Sequence, residues 1–159
     1  MADDHTPDAP STAAVLGHPL HPAMIPFPIA FLTGALATDL AFWGTSDPFW
    51  ARVSFWLLAA GLVTGAVAAV LGLIDFLTIP RARNLTVGWV HFLGNAAALV
   101  LAAVTLGMRW EDPAAAVLPW GLVLTAAIAV LLAVTGWAGG ELSYRHRIGV
   151  TGPARGPKW

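Results

Sequence analysis

VSFWLLAAGLVTGAVAAVLGLIDFLTI, residues 53–79, holds 27 residues and a single charge, Asp75. A stretch this long and apolar crosses about 30 Å of hydrocarbon. Without water, only a helix satisfies its own backbone groups there. Three further stretches read the same way: 25–44 (IPFPIAFLTGALATDLAFWG), 88–108 and 119–140. The 159-residue chain is 57% hydrophobic and only 11% charged, with a mean hydropathy of +0.71. A soluble domain carries about 25% charged residues, so an ordinary water-facing surface cannot be built. The expected fold class is all-α, a four-helix transmembrane bundle over residues 16–150 with antiparallel neighbours. A mobile N-terminal tail (1–15), too acidic for a signal peptide, and a C-terminal tail (151–159) flank it.

Composition also excludes functions. A net charge of −1 argues against a nucleic-acid partner. The absence of cysteine excludes disulfides, thiolate metal sites, iron–sulfur ligation, covalent haem attachment and a cysteine nucleophile. No phosphate-binding loop, nucleophile elbow or serine triad is present. An electron carrier or accessory protein is therefore expected rather than a hydrolase.

Four crossings put both termini on one side. Arg81, Arg83, Arg145, Arg147, Arg155 and Lys158 fall on that side, against Arg52 and Arg109 on the other. The positive-inside rule then makes both termini cytoplasmic, in a bacterial inner membrane. Tryptophans at both ends, Trp43, Trp50, Trp110 and Trp120 against Trp89 and Trp137, read as interfacial belts.

Helices in lipid associate through small residues. The expected stripes are Ala30, Gly34, Ala37 and Ala41 on the first span; Gly61, Gly65, Ala68 and Gly72 on the second; Gly94, Ala98 and Ala102 on the third; and Gly121, Thr125, Ala129, Ala133, Gly136 and Gly140 on the fourth. Asp75 and His91 share those stripes and should face protein. Asp39 falls off the first stripe and is expected to pair with Arg52 or Arg109 at the outer surface.

Chain order gathers His18, His21, Asp75, His91, Glu141 and His146 at the cytoplasmic end. The block HPLHPAMIPFP sets His18 and His21 before prolines, which disfavours the helical region and predicts a stiff, non-helical approach. A faint repeat relates His21, Gly72, Asp75, Arg81 and Arg83 to His91, Gly140, Glu141, Arg145 and Arg147, at offsets of 70, 68, 66, 64 and 64 residues. It suggests two hairpins about an axis along the membrane normal.

Three chemistries suit this cluster. Two of His18, His21, His91 and His146 could ligate a b-type haem, with Arg81, Arg83, Arg145 and Arg147 on its propionates. Alternatively, His18, His21, Asp75, His91, Glu141 and His146 supply ligands for zinc or another divalent ion, although no standard spacing is matched. A proton relay or polar-substrate site is the third. Against them stands a structural reading, in which His91 bonds Asp75 and the cluster only locks helices. The partners implied are the lipid bilayer and a redox protein, with a homo-oligomer as the alternative assembly.

HPLHPAMIPFPIAF (18–31), GLIDFLTIP (72–80), His91 opening the third span and GWAGGELSYRHRIGV (136–150) resemble the prokaryotic membrane proteins grouped as domain of unknown function 2231. The resemblance covers about residues 16–150 and implies four spans. Relatives with a Rieske-type or cytochrome-like module would imply redox work; this cysteine-free chain has no such module. The family's matching positions here are His18, His21, Asp75, His91, Glu141 and His146.

Overall fold

The computed structural model describes residues 8–150. Residues 1–7, with His5, and the tail 151–159, with Arg155 and Lys158, lie outside the described residues.

Four helical segments are long and apolar enough to cross a membrane: Leu20–Thr45, Pro48–Thr78, Thr86–Met108 and Val117–Arg145. The first joins a short helix α1 (Leu20–Met24) to α2 (Pro26–Thr45). The second is α3 (Pro48–Thr78), followed by the single turn α4 (Pro80–Arg83). The third is α5 (Thr86–Met108), and most of the fourth is α6 (Leu122–Gly140). All four expected spans are therefore present.

Local chemistry sets the boundaries. Pro26 and Pro48 open their helices, where a missing N–H costs nothing. Asp47 caps α3 by accepting from Phe49 N at 2.9 Å. Ile79, forced extended by Pro80, ends α3. Arg83 then donates to the terminal carbonyls of Phe76 and Leu77, placing a cation at the negative end of the helix. Thr33, Thr38, Thr64 and Thr105 turn their hydroxyls onto the preceding helical turn, as Thr33 does to Ile29 O at 2.6 Å, so these hydroxyls are not stranded in lipid.

The helices form a ring. α2 packs on α3 and α5 on α6 as hairpins; α3 then packs on α5, and α2 on α6. Leu32, Ala35, Leu58, Ala98, Ala102, Ile128 and Leu132 fill the centre. A second cluster of Phe76, Ile79, Ala82, Leu142 and Ile148 closes one end. Large apolar residues such as Val63, Val100 and Val130 stay exposed around the outside, as lipid contact requires.

Two expected stripes need correction. On α2 the buried face is Pro28, Leu32, Ala35 and Asp39, not Ala30, Gly34, Ala37 and Ala41. A carboxylate facing lipid is costly, so Asp39 draws its own face inward. On α6 the buried face is Thr125, Ile128, Leu132, Thr135 and Ala138. A stripe spaced by fours advances about 40° per step on a 3.6-residue helix, so Ala133 and Gly136 drift outward. The α3 stripe holds, with Gly61, Gly65, Ala68 and Asp75 buried.

The hairpins are related by more than the sequence repeat. Buried Pro28, Leu32, Ala35 and Asp39 on the first match buried Ala98, Ala102, Thr105 and Arg109 on the second, each 70 residues later.

Residues 8–15, expected to be tail, include two short strands. β1 (Ala9–Pro10) lies parallel to β4 (Ile148–Val150), and β2 (Ala14–Val15) pairs with β3 (His18–Pro19). His18 is extended as expected. His21 is not: it sits within α1 although Pro22 follows it. A tertiary hydrogen bond from its ring, described below, overrides the local preference.

Candidate functional site

His21 and His91 come from opposite hairpins and meet at the centre of one end of the ring, here termed the histidine end. Their ring centroids are 6.1 Å apart and their planes are perpendicular. His21 Nδ1 lies 2.7 Å from Ala68 O on α3. His91 Nδ1 lies 2.8 Å from Thr135 O on α6. A carbonyl can only accept, so in each ring Nδ1 carries the proton and Nε2 keeps its lone pair. Asn95 Nδ2 donates to His91 O at 2.7 Å, and Thr135 Oγ1 donates to Asn95 Oδ1 at 3.2 Å, fixing this corner further.

Each ring occupies the space that a side chain would fill on the neighbouring helix. A Cβ added to Gly72 would sit 2.7 Å from the His21 ring, and one added to Gly139 would sit 2.8 Å from the His91 ring. The two halves thus repeat one device: a histidine, a carbonyl acceptor across the hairpin, and a glycine four residues beyond that acceptor.

Both rings border a cavity of about 450 Å³, whose walls include Pro28, Leu32, Phe76, Phe92, Leu99 and Leu132. Small-molecule and cofactor sites span about 300–1,000 Å³ and are mostly apolar with few polar groups. The cavity runs between the hairpins, since its lining comes from both the α2/α6 and the α3/α5 faces.

The other expected residues are placed apart from this pair. His18 is exposed, with Nδ1 3.1 Å from Leu16 O in its own turn. His146 lies in a separate recess with Glu141, Trp137 and Val87. Glu141 pairs with Arg145 at 2.7 Å, Arg147 pairs with Asp8, and Arg83 holds the α3 carbonyls; Arg81 is half-buried. Asp75 borders the cavity, but its carboxylate accepts from Ser11 Oγ, Thr12 N, Thr12 Oγ1 and Ala13 N at 2.7, 2.8, 3.1 and 3.0 Å. It does not bond His91. Among the described residues, no three His, Asp or Glu side chains come together as a metal-ion group. The expected six-ligand set is dispersed because these side chains are occupied by capping, ion pairing and the N-terminal segment.

A second polar cluster, at the opposite end, escaped the sequence reading. Arg109 Nη1 and Nη2 donate to Asp39 Oδ1 and Oδ2, both at 2.7 Å, with both side chains fully buried. Ser54 Oγ accepts from Nη1 at 2.6 Å, and Thr125 Oγ1 donates to Asp39 Oδ2 at 2.8 Å. Of the two expected partners, Arg52 and Arg109, the structure pairs Asp39 with Arg109; the burial of the pair was not expected. A signal existed, since Asp39 and Arg109 stand at the same 70-residue offset as His21 and His91. Eighteen residues separate His21 from Asp39 and His91 from Arg109, so the two layers lie roughly 27 Å apart along the bundle.

The family model described as "Predicted membrane protein (DUF2231)" matches residues 17–152. No curated protein and no solved structure matches the chain.

Proposed function

The chain belongs to that family of predicted membrane proteins, and from this premise we propose that it is a redox component that holds a b-type haem between His21 and His91. The 6.1 Å spacing of the two rings carries this reading. An imidazole nitrogen binds a metal at about 2.0–2.1 Å, so two rings that held one iron between them would stand at about this separation.

Three further observations support it. A ligating histidine almost always donates its other ring N–H to a carbonyl or carboxylate, as both rings do here. The cavity beside them is large and apolar. Among the described residues only two imidazoles converge, too few for a structural or catalytic zinc site, whereas a porphyrin brings four nitrogens of its own. Bound there, haem would supply one-electron chemistry.

The chain's part is to hold and orient. Ala68 O and Thr135 O fix both tautomers and ring planes, and the apolar walls exclude water. Of the cations first assigned to propionates, Arg83, Arg145 and Arg147 have protein partners, so pairing with haem requires an exchange of those contacts. The proposed location is the bacterial cytoplasmic membrane with both termini inside. With Arg109 buried in its ion pair, Arg52 is the one exposed cation at the Asp39 end among the described residues, which strengthens the arginine bias.

An accessory, non-redox protein is the second reading. The same two hydrogen bonds that orient the rings also staple α1 to α3 and α5 to α6. The test is the reduced-minus-oxidised absorption spectrum of protein purified in detergent from haem-replete cells. Sharp Soret and α bands, lost in His21→Ala and in His91→Ala but kept in His18→Ala and His146→Ala, are expected. A colourless, folded wild-type protein leaves the accessory reading.

A further inference from the structure

Asp75 was a candidate ligand, yet its carboxylate receives four hydrogen bonds from Ser11, Thr12 and Ala13. These residues belong to a segment lying across the histidine end. Its first part is held by the β1–β4 pairing, by Ala9 N donating to Arg147 O at 2.9 Å, and by the ion pair of Asp8 with Arg147. Thr12 Oγ1 also meets Thr78 Oγ1 at 2.5 Å. The segment is thus tied to the ends of both α3 and the last span.

Its far end leads to a proposed ligand. Ala13 donates its N–H to Asp75 and accepts, through its carbonyl, from Leu20 N at 2.9 Å. Leu20 is the residue before His21 and opens the same short helix. β2 and β3 close the intervening loop into a two-strand clasp, so Ala13 and Leu20 cannot separate freely. α1 itself buries no residue, so apolar packing does little to hold it. His21 is therefore fixed by two ties to one helix, α3. Its ring bonds Ala68 O directly, and its backbone is held through Ala13 to Asp75, seven residues further along. His91 has no such dependence, since it rides on the continuous helix α5.

We infer that the N-terminal segment is a strap, latched on Asp75, whose docking positions His21, so that release of the strap withdraws one of the two imidazoles while leaving His91 in place. The ligation half of this inference rests on the haem reading; the latch itself does not. Asp75 is a positioning residue, acting on His21 through Ala13 and Leu20. A partner or modification that detached residues 11–13 would leave His91 as the one imidazole positioned to hold the group.

The chain contains no cysteine, so a single Ala13→Cys supplies a unique thiol at a position only 8% exposed. The position bonds through its backbone, which the substitution leaves intact. In full-length protein in detergent, maleimide labelling of this thiol should be slow, and at least about tenfold faster when Asp75→Ala is added, as for a locally opened segment. Asp75→Asn keeps Oδ1 as the acceptor for Thr12 and Ala13 and should restore most of the protection. Should Asp75→Ala fail to fold, Ser11→Ala with Thr12→Val removes two donors outside the spans and should speed labelling to a lesser degree. The optical spectrum read on the same samples should turn from low-spin to high-spin as labelling accelerates. Unchanged labelling in Asp75→Ala and in the double variant overturns the latch. Fast labelling with a retained low-spin spectrum overturns the positioning of His21. Absence of haem bands from wild-type protein overturns the haem reading alone, and the labelling arm still decides the latch.

Discussion

Arg109 and Asp39 are fully buried in a ring of helices, where isolated charges are very unfavourable. Their bidentate geometry, with further hydrogen bonds to Ser54 and Thr125, offsets much of that desolvation, although Arg109 Nε is buried without a partner. Removing one partner leaves the other charge uncompensated. Arg109→Met should therefore cost about 3–5 kcal/mol of stability, and Asp39→Asn added to it should recover part of that loss. Denaturation in detergent, followed by tryptophan fluorescence, measures both. A loss below about 1 kcal/mol, as for an exposed pair, would mean that the cluster is hydrated. At this scale the sequence was partly legible. That Asp39 meets an arginine from its own end of the bundle followed from topology, though Arg52 and Arg109 were equally open. That His21 and His91 pair, and not His18 or His146, did not, because their partners are the backbone carbonyls of Ala68 and Thr135. A carbonyl acceptor leaves no mark in the side-chain sequence.

Among the elements, the long helices were readable from apolar length alone, while the faces they bury were only half readable. Small-residue spacing located the α3 face, which packs closely, and missed the α2 face, where a buried carboxylate outweighs residue size. The strap was invisible because polar residues such as Ser11 and Thr12 read as a solvated tail until Asp75 is placed beside them. Its first residue adds a pH-dependent contact. Arg147, hydrogen-bonded to Asp8 and lending its positive charge, lowers the Asp8 pKa from 3.8. A depressed carboxyl favours the docked form above its ordinary value, and that preference fades as pH falls below it. Pepsin cleavage within residues 8–16, normalised to an unfolded control peptide at each pH, should thus rise as pH falls below about 3.8, and should change less with pH in Asp8→Asn, where only the Asp75 carboxylate still holds the segment. Equal sensitivity in both proteins would show that this ion pair does not hold the strap. The contact is exposed, so high salt should weaken it as well.

Across the described residues, the two hairpins repeat their buried positions at one 70-residue offset, with a histidine pair at one end and an ion pair at the other. The faint sequence repeat pointed to this, but its weaker members, Asp75 with Glu141 and the arginine pairs, proved inequivalent. Asp75 holds the strap and Glu141 pairs with Arg145. The equivalence that survives is the 70-residue offset along α2 and α5. It predicts that Asp39→Arg combined with Arg109→Asp restores most of the stability lost in Asp39→Arg alone. Ser54 and Thr125 contribute hydroxyls that can each donate or accept, so the exchanged charges find partners of the right kind. A double variant no more stable than the single one would remove the case for that equivalence.

The two imidazoles stand at right angles, and that angle is observable. Were His21 and His91 to hold a haem iron at that angle, a highly anisotropic low-spin ferric signal would be expected in low-temperature electron paramagnetic resonance. Wild-type protein, oxidised and frozen, should give one such signal per chain and lose it in both His21→Ala and His91→Ala. A high-spin signal from intact wild type, or haem-replete preparations with no ferric haem signal, would contradict a His21–His91 iron site.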